Sequence, residues 1–571
     1  MSNGKINTGS FIKSILKNLL LIFAGAFLFA FSNPNILLTK GFAFAAWIMY
    51  VPYFFLIKKT SLKTSWLYSG LYGVCAIVMY AYWLFNYSPI CLVIALVIGF
   101  AGTAFFGFLL KLLQKYFEKN YWLVWFLAVC AFDYLRTLGF LGFHYALAAY
   151  SQWNINLLLQ SVSLVGPFGL NALVVFCSSL VFAFLSKLED KRILLHKMID
   201  DNVHYEGATY INYVSENNRL MQNTSLACPV VFSVVWLVLV IAALVYGSIR
   251  LKSDYEKKTV TVAAIQHNDS PDSDGLENYR ESIQSLITLT DEALEINPDI
   301  DIVIWPETAV VPSIVYHYNV QADSERKKLV THLLNYLNSR NPVFVIGNQH
   351  INVNRNGTEK KYYNSALVFR QGKNVIPPEP EIYSKIHLVP FSESFPYQKY
   401  FPHVYKLLLE NVKFFWDSGN DITVFNEAGL SFYTPICFES TFPDLCRKAC
   451  QKGAEALFCL ANDSWSKSLA CQYQHMAMAK FRAVENNVPV VISSVSGQTA
   501  VIDSDGQLLE MAVPFSQTYV ISHLPVAKNG HKSTFYNKSG DIFGYGMLFF
   551  FIAVLLIRLF VGIIQYIKKR K

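Results

Sequence analysis

Eight apolar runs, at about 13–31, 41–57, 66–85, 90–113, 121–137, 164–186, 229–248 and 543–565, constrain this chain more than any other feature. As a helix, a run of roughly 18 or more apolar residues matches the hydrocarbon core of a bilayer and satisfies its own backbone there. A soluble protein of 571 residues seldom needs the 53% hydrophobic fraction found here, and the runs account for the excess. Seven runs come first, a long segment follows, and the eighth run comes near the end. The chain therefore divides into a membrane part over 1–250, a second unit over 251–542, and a last span with a basic tail over 543–571. Lys13 and Lys17 precede the most apolar part of the first run, as in a signal peptide. No small-residue cleavage site stands out and another run follows at once, so this run reads as retained.

Charge gives the orientation. Lys5, Lys13 and Lys17 lie before or at the start of the first run; Lys58, Lys59 and Lys63 follow the second; Lys111, Lys115 and Lys119 end or follow the fourth. Lys187, Lys191, Arg192, Lys197 and Arg219 follow the sixth, and Lys568, Lys569, Arg570 and Lys571 close the chain. The alternate short loops carry only Lys40. Basic loops stay on the cytoplasmic side, so both termini are expected there, with the long segment outside a cytoplasmic (inner) membrane. The net charge of +8 follows this flanking pattern rather than a nucleic-acid surface. Asp133 and Arg136, three apart, share a helix face near the outer end of the fifth run and read as an interfacial ion pair. The loop 138–163 has no Lys, Arg, Asp or Glu but is rich in aromatics, among them Phe140, Phe143, Tyr145, Tyr150 and Trp153. It fits either a portal for a lipid chain or an inert interfacial belt.

Between 250 and 542 the pattern changes. Short β-branched runs at 259–265, 300–305, 343–347, 431–436 and 488–493 alternate with helical patterns at 277–295, 324–339, 442–451 and 470–486. That alternation predicts an α/β layered domain. No glycine-rich phosphate loop is present, and the ten cysteines show neither a CxxC pair nor metal-ligand spacing. Lone histidines such as His387 and His475 read as packing or hydrogen-bonding residues.

Three short stretches carry chemistry. IVIWPE (302–307) is a buried strand ending in Glu307, with Pro306 expected to stop the ladder; desolvation beside Trp305 would raise the carboxyl pKa, as a general base requires. SKIHLVPFSE (384–393) places Lys385 and Glu393 at the two ends of an apolar stretch. SFYTPICFES (431–440) runs a strand into Cys437. Ser440 or Thr441 would cap a helix with Pro443 in its first turn, so that helix N-terminus would favour a thiolate at Cys437.

In this order, WPE, then K-x-H-L-V-P-F-x-E, then a strand ending in C-x-E resembles the nitrilase superfamily with its Glu-Lys-Cys triad. With the flanking spans, the chain resembles the apolipoprotein N-acyltransferase family. Further matches are Gln266 with Asn268, Asn462-Asp463-x-Trp465, the helix bearing His475, Arg482 and Glu485, Asp133-Tyr-Leu-Arg136, and Gly142-Phe143 leading to Tyr150-Ser151-Gln152. The resemblance implies a four-layer αββα sandwich on eight transmembrane helices, a phospholipid acyl donor, and an apolipoprotein whose diacylglyceryl-cysteine amine accepts the chain. It also implies a Cys437 thioester, with Glu307 as general base and Lys385 at the oxyanion. Glu393, Phe438, Glu439, Gln266, Trp305 and Trp465 are expected to support the site or touch substrate. No metal, organic cofactor or nucleic acid is expected.

The chain departs from the family pattern at Phe438, where Tyr is frequent; at Ile492 and Val495, where Arg and Asn usually precede Gly497; at His144 and Tyr145, in place of Pro-Trp; and in a longer, polar loop 187–227. Two other readings are a membrane-tethered amidase on the same triad, and a lipoprotein-binding membrane protein without catalysis.

Overall fold

The computed structural model describes residues 8–201, 224–252, 256–270, 274–320, 323–354, 359–410, 414–528, 530 and 532–570. Lys5, Arg219 and Lys571, three of the basic residues used to orient the chain, lie outside the described residues.

Five described helices are long and apolar enough to cross a membrane: Phe11–Ser32, Pro89–Phe117, Val162–His196, Ala227–Leu251 and Ile542–Lys568. Two apolar helices are shorter, Ser65–Ala81 and Tyr121–Leu135. The run at 41–57 is not one helix but a 3-10 turn, Ala43–Ile48, joined to an α-helix, Tyr50–Lys59. Many large apolar side chains on these helices are exposed on the protein's outer face, such as Leu20, Phe105, Val238 and Phe549, as lipid-facing positions are. The Asp133–Arg136 pair fixes a loop as well as a helix end. Arg136 Nε donates to Asp133 Oδ1 (3.0 Å), and its Nη1 donates to the carbonyls of Phe143 (2.9 Å) and Tyr145 (2.7 Å). Asn171 Nδ2 donates to the other Asp133 oxygen (3.0 Å), so all of the acid's burial is compensated.

Among the described residues, twelve strands make two six-stranded sheets of matching design. The first contains β1 (Lys257–Gln266), β2 (Ile302–Val310), β3 (Val343–Val353), β4 (Lys360–Phe369), β5 (Glu381–Ser384) and β12 (Thr518–Ala527), in the order β12-β1-β2-β3-β4-β5. The second contains β6 (Phe425–Glu427), β7 (Leu430–Tyr433), β8 (Ala456–Ala461), β9 (Val490–Ser494), β10 (Ala500–Ile502) and β11 (Leu508–Met511), in the order β11-β10-β9-β8-β7-β6. Each sheet has three parallel central strands, β1-β2-β3 and β7-β8-β9, flanked by antiparallel ones. Alternation along β1 shows how the sheets are sandwiched: Val260, Val262 and Ala264 enter the core shared with the second sheet, whereas Ala263 and Ile265 enter the core under helices Leu276–Ile296 and Ser324–Asn338. On the far side, Pro443–Gln451 and Leu469–Asn486 cover the second sheet. The layers run helix, sheet, sheet, helix.

That second helical layer seats the sandwich on the membrane part. Gln474 Nε2 donates to Pro34 O (2.9 Å) and Tyr80 O (3.2 Å), and its Oε1 accepts from Trp83 Nε1 (3.2 Å). Lys480 Nζ donates to Asn156 Oδ1 (2.9 Å), and Gln160 Nε2 to Asp505 O (2.8 Å). The loop 138–163 fills this junction. Tyr145 lies against Trp83, Tyr150 edge-on to Phe481, and Trp153 against Tyr473, while Phe140 meets Phe391 and Tyr397. Only part of the loop fits a belt: Phe143 is exposed, whereas Tyr145, Tyr150 and Trp153 are buried.

Candidate active site

Glu307, Lys385 and Cys437 come from distant points in the chain and meet at one end of the sandwich. Pro306 does not end the strand as the sequence suggested. Instead β2 continues to Val310, and its pairing with β3 is interrupted by a bulge between Trp305 and Val310, with Thr308 at φ +46°. Bulges re-aim side chains in this way. Gly347 makes the crossing possible, since a Cβ there would lie 2.0 Å from Pro306 O. Without the bulge, Trp305 and Glu307 would share a face. With it, Trp305 goes into the core under the outer helices, donating Nε1 to Thr290 Oγ1 (3.0 Å), and Glu307 turns to the inter-sheet side. Trp305 is thus a core residue away from the triad, which corrects its expected place in the site.

The Glu307 carboxylate is buried and its Oε1 accepts from Asn364 Nδ2 (2.8 Å) and Lys385 Nζ (3.2 Å). The Cys437 thiol lies close enough to this carboxylate for each group to shift the other's proton affinity. Lys385 Nζ also donates to Glu393 Oε1 (2.8 Å), and Glu393 Oε2 accepts from the Val389 amide (2.8 Å). Glu393 therefore holds Lys385 and its own loop at once. Asn364, on β4, was missed by sequence reasoning. It lies in the polar half of an edge-proximal strand, where no local pattern marks it.

Burial raises the Glu307 carboxyl above the usual range and Glu393 adds to this, while Lys385, Asn364 and the thiol pull it back. For Lys385 burial alone would lower the pKa, but the two carboxylates outweigh it and keep the ammonium charged. Burial, and then Glu307, push the Cys437 thiol well up, countered by Lys385 and the Asn462 backbone N–H. A half-buried thiol and a buried carboxylate thus both have raised proton affinities, and the charged Lys385 lies beside them.

The expected helix dipole is not what acts on Cys437. Cys437–Thr441 forms a 3-10 turn, and the α-helix begins at Pro443 with no side-chain cap at Phe442. Ser440 and Thr441 bond backward instead, to the carbonyls of Cys437 (3.0 Å) and Phe438 (2.7 Å). Cys437 itself sits at φ +50°, a left-handed conformation uncommon for a side-chain-bearing residue. Glu439 does not face the triad. Its Oε1 accepts from the amides of Ile386 (2.7 Å) and His387 (3.0 Å) and from Tyr383 OH (2.8 Å), and its Oε2 from the Ile436 amide (2.9 Å). It clamps the Lys385 loop to the Cys437 turn, with its pKa pushed up to about 7 by burial.

The remaining expected site residues fall around this centre. Phe438 packs edge-on to Phe442, whose ring lies flat on His387 and edge-on to His144; a hydroxyl at 438 would meet an aromatic pile. Trp465 packs against Trp83 and Tyr87 of the membrane part. Gln266 Nε2 donates to Val513 O (2.8 Å) and Ser516 O (2.9 Å), fastening a loop apart from the triad. Ile492 is a core residue of β9, and Val495 O accepts from the Asn268 amide (2.7 Å).

The sequence pattern of the carbon-nitrogen hydrolase family matches residues 261–530, and that of the apolipoprotein N-acyltransferase N-terminal domain matches residues 24–180. The chain is 36% identical to apolipoprotein N-acyltransferase 1 of Treponema denticola, over 92% of this chain and 93% of the relative. It is 35% identical to apolipoprotein N-acyltransferase 1 of Treponema pallidum over 98% of both, and 28% identical to the apolipoprotein N-acyltransferase of Borreliella burgdorferi over 91% of both.

Proposed function

This chain belongs to the apolipoprotein N-acyltransferase family, and we propose that it acylates the N-terminal amine of lipoproteins, taking the acyl group from a membrane phospholipid through a thioester on Cys437. The observation that carries this reading is the buried contact of Lys385 Nζ with Glu307 Oε1 (3.2 Å), with the Cys437 thiol near enough to act on both charges, beside an aromatic junction with apolar helices. Glu307 takes the thiol proton as sulfur attacks the ester carbonyl. Lys385 holds the oxyanion, and Glu307 returns the proton to the departing lysophospholipid. In the second half Glu307 takes a proton from the lipoprotein amine as it attacks the thioester, and the thiolate leaves.

The orientation and span count belong to this proposal. The sandwich faces the periplasm, both termini are cytoplasmic, and eight segments cross the inner membrane. The second crosses as the 3-10 turn and helix of Ala43–Lys59, which reach about 27 Å at ordinary rises per residue. Domain limits near 250 and 542 follow.

The test uses the purified protein in detergent, a phospholipid, and a synthetic peptide bearing N-terminal diacylglyceryl-cysteine. The peptide should gain one acyl mass on its amine while an equal amount of lysophospholipid appears, and Cys437→Ala should produce neither. Release of ammonia from short amides with no acylated peptide would overturn the reading.

A further inference from the structure

The proposed mechanism leaves one buried pair behind the nucleophile without a task. His475 lies on the helix Leu469–Asn486, and its Nδ1 is 3.0 and 3.2 Å from the two oxygens of Asp463. Its Nε2 is 3.0 Å from the carbonyl oxygen of Cys437 and 2.7 Å from Ser440 Oγ, and Ser440 donates to that same carbonyl (3.0 Å). Both His475 and Asp463 are buried.

We propose that Asp463 and His475 form a positioning pair that fixes the Cys437 peptide in its left-handed turn and screens the thiolate from the Asp463 charge. This rests on Cys437 being the nucleophile.

Hydrogen-bond geometry argues for a proton on both ring nitrogens. A carbonyl oxygen has no hydrogen to offer, so a 3.0 Å approach to Nε2 is attractive only when Nε2 carries one. Nδ1 faces a carboxylate and carries the other. The resulting imidazolium is compensated by Asp463, as a buried charge must be. Burial alone would lower the His475 pKa, but Asp463 and the Cys437 carbonyl reverse that and raise it. The surrounding ionisable groups are Glu307 on β2, Cys437 on the turn, Cys459 on β8, Cys471 on the same helix, and Tyr145 from the membrane part. Of the charged groups facing the Cys437 thiol, Lys385 on its loop favours a thiolate, whereas Glu307 and Asp463 oppose one. With His475 protonated, the pair is neutral and Asp463 stops opposing it. Gly497 belongs to the same device, since a Cβ there would lie 3.0 Å from Asp463 Oδ2 and 2.4 Å from Ser494 Oγ.

Positioning and screening separate experimentally. His475→Gln keeps a donor and most of the volume but leaves the Asp463 charge exposed to the thiol. Adding Asp463→Asn removes that charge again. The readout is the rate at which iodoacetamide alkylates Cys437 across pH, followed by mass spectrometry of its peptide in the full-length protein. We expect His475→Gln to slow alkylation at neutral pH by about tenfold, one unit of thiol pKa, and the double variant to recover most of it. Acyl loading should stay depressed by about 10²-fold in both, because a flexible amide at 475 does not hold the Cys437 carbonyl in place as the Asp463-braced ring does. A double variant alkylated as slowly as the single one, or a His475→Gln curve that superimposes on the wild type, overturns the proposal. If His475→Gln fails to insert, His475→Asn with and without Asp463→Asn decides by the same pair of curves. Alkylation needs no lipid, so altered alkylation in a protein that never takes up an acyl group would overturn the acyl-transfer reading and leave this one standing.

Discussion

The helices Leu276–Ile296 and Leu469–Asn486 flank the same pair of sheets, yet the first buries 6 of its 21 residues and the second 16 of its 18. The outward helix is amphipathic in the ordinary way. Ile283, Leu286, Ile287 and Ala293 face the sheet, and its charged residues form exposed pairs such as Arg280–Glu277. The membrane-facing helix buries Gln474, His475, Lys480, Arg482 and Glu485, each with a partner. Those partners lie in the membrane part, on the Cys437 turn, at Asp463 just after β8, or on the helix itself. Polar groups without water need partners held in place, so this helix is tied rigidly to both the bilayer helices and the nucleophile. The outward helix is tied instead to the sheet beneath it, Thr290 Oγ1 accepting from Trp305 Nε1. Carboxyl groups show the same division. Pairing with Arg326 lowers Asp323 on the outer side, whereas burial raises Glu307, Glu439 and Glu485 near the site.

The comparison breaks most directly at its charges. Arg482→Met leaves Glu485 buried without its cation, and losing one partner of such a pair costs about 3–5 kcal/mol. Arg280→Ala, in the outward layer, should cost less than about 0.5 kcal/mol. Thermal unfolding in detergent checks both, and equal losses would erase the distinction. At the junction, Gln474→Leu removes the partner of Trp83 Nε1 and of the Pro34 and Tyr80 carbonyls. It should destabilise by about 1–3 kcal/mol and slow acyl loading of Cys437, whereas Arg340→Ala, which breaks the outward pair with Asp291, should leave loading unchanged.

The smallest effect is a shift in pH. Glu307 must be ionised to act as base, so loading is present above its raised pKa and lost as pH falls through it. That acid limb should lie above the value of about 4.3 for a free glutamate. Glu393 is one of the groups that raise Glu307, so Glu393→Gln should move the limb to lower pH even as it loosens Lys385. Loading rates across pH in the two proteins check the sign.

The residues Glu307, Lys385 and Cys437 were legible because their three short motifs are local, and so were the strands β1, β2, β3, β7 and β9 and the four long helices of the sandwich, whereas the central strand β8 (Ala456–Ala461) went unread. What escaped depends on distance along the chain or on broken alternation. Trp305 looked like a neighbour of Glu307 since period two puts both on one face; the bulge after it separates them. Asn364 reaches Glu307 across 57 positions from a strand that begins Lys-Lys-Tyr-Tyr. The Ser440 and Thr441 hydroxyls looked like caps, but tertiary partners, His475 above all, claim the turn first. The membrane run at 41–57 had the composition of a helix, and its change from 3-10 to α geometry at Met49 was invisible because both halves are apolar.

The central claim is that Cys437 carries the acyl group. Incubating the full-length protein with phospholipid alone should let the acyl-enzyme accumulate, because nothing accepts the chain. Intact-mass and peptide mass spectrometry should then find one acyl group on Cys437, released by hydroxylamine. Lys385→Ala should form it about 10²–10³-fold more slowly, and Cys437→Ala should not form it at all. Acylation of an added diacylglyceryl-cysteine peptide by the Cys437→Ala protein would contradict the account.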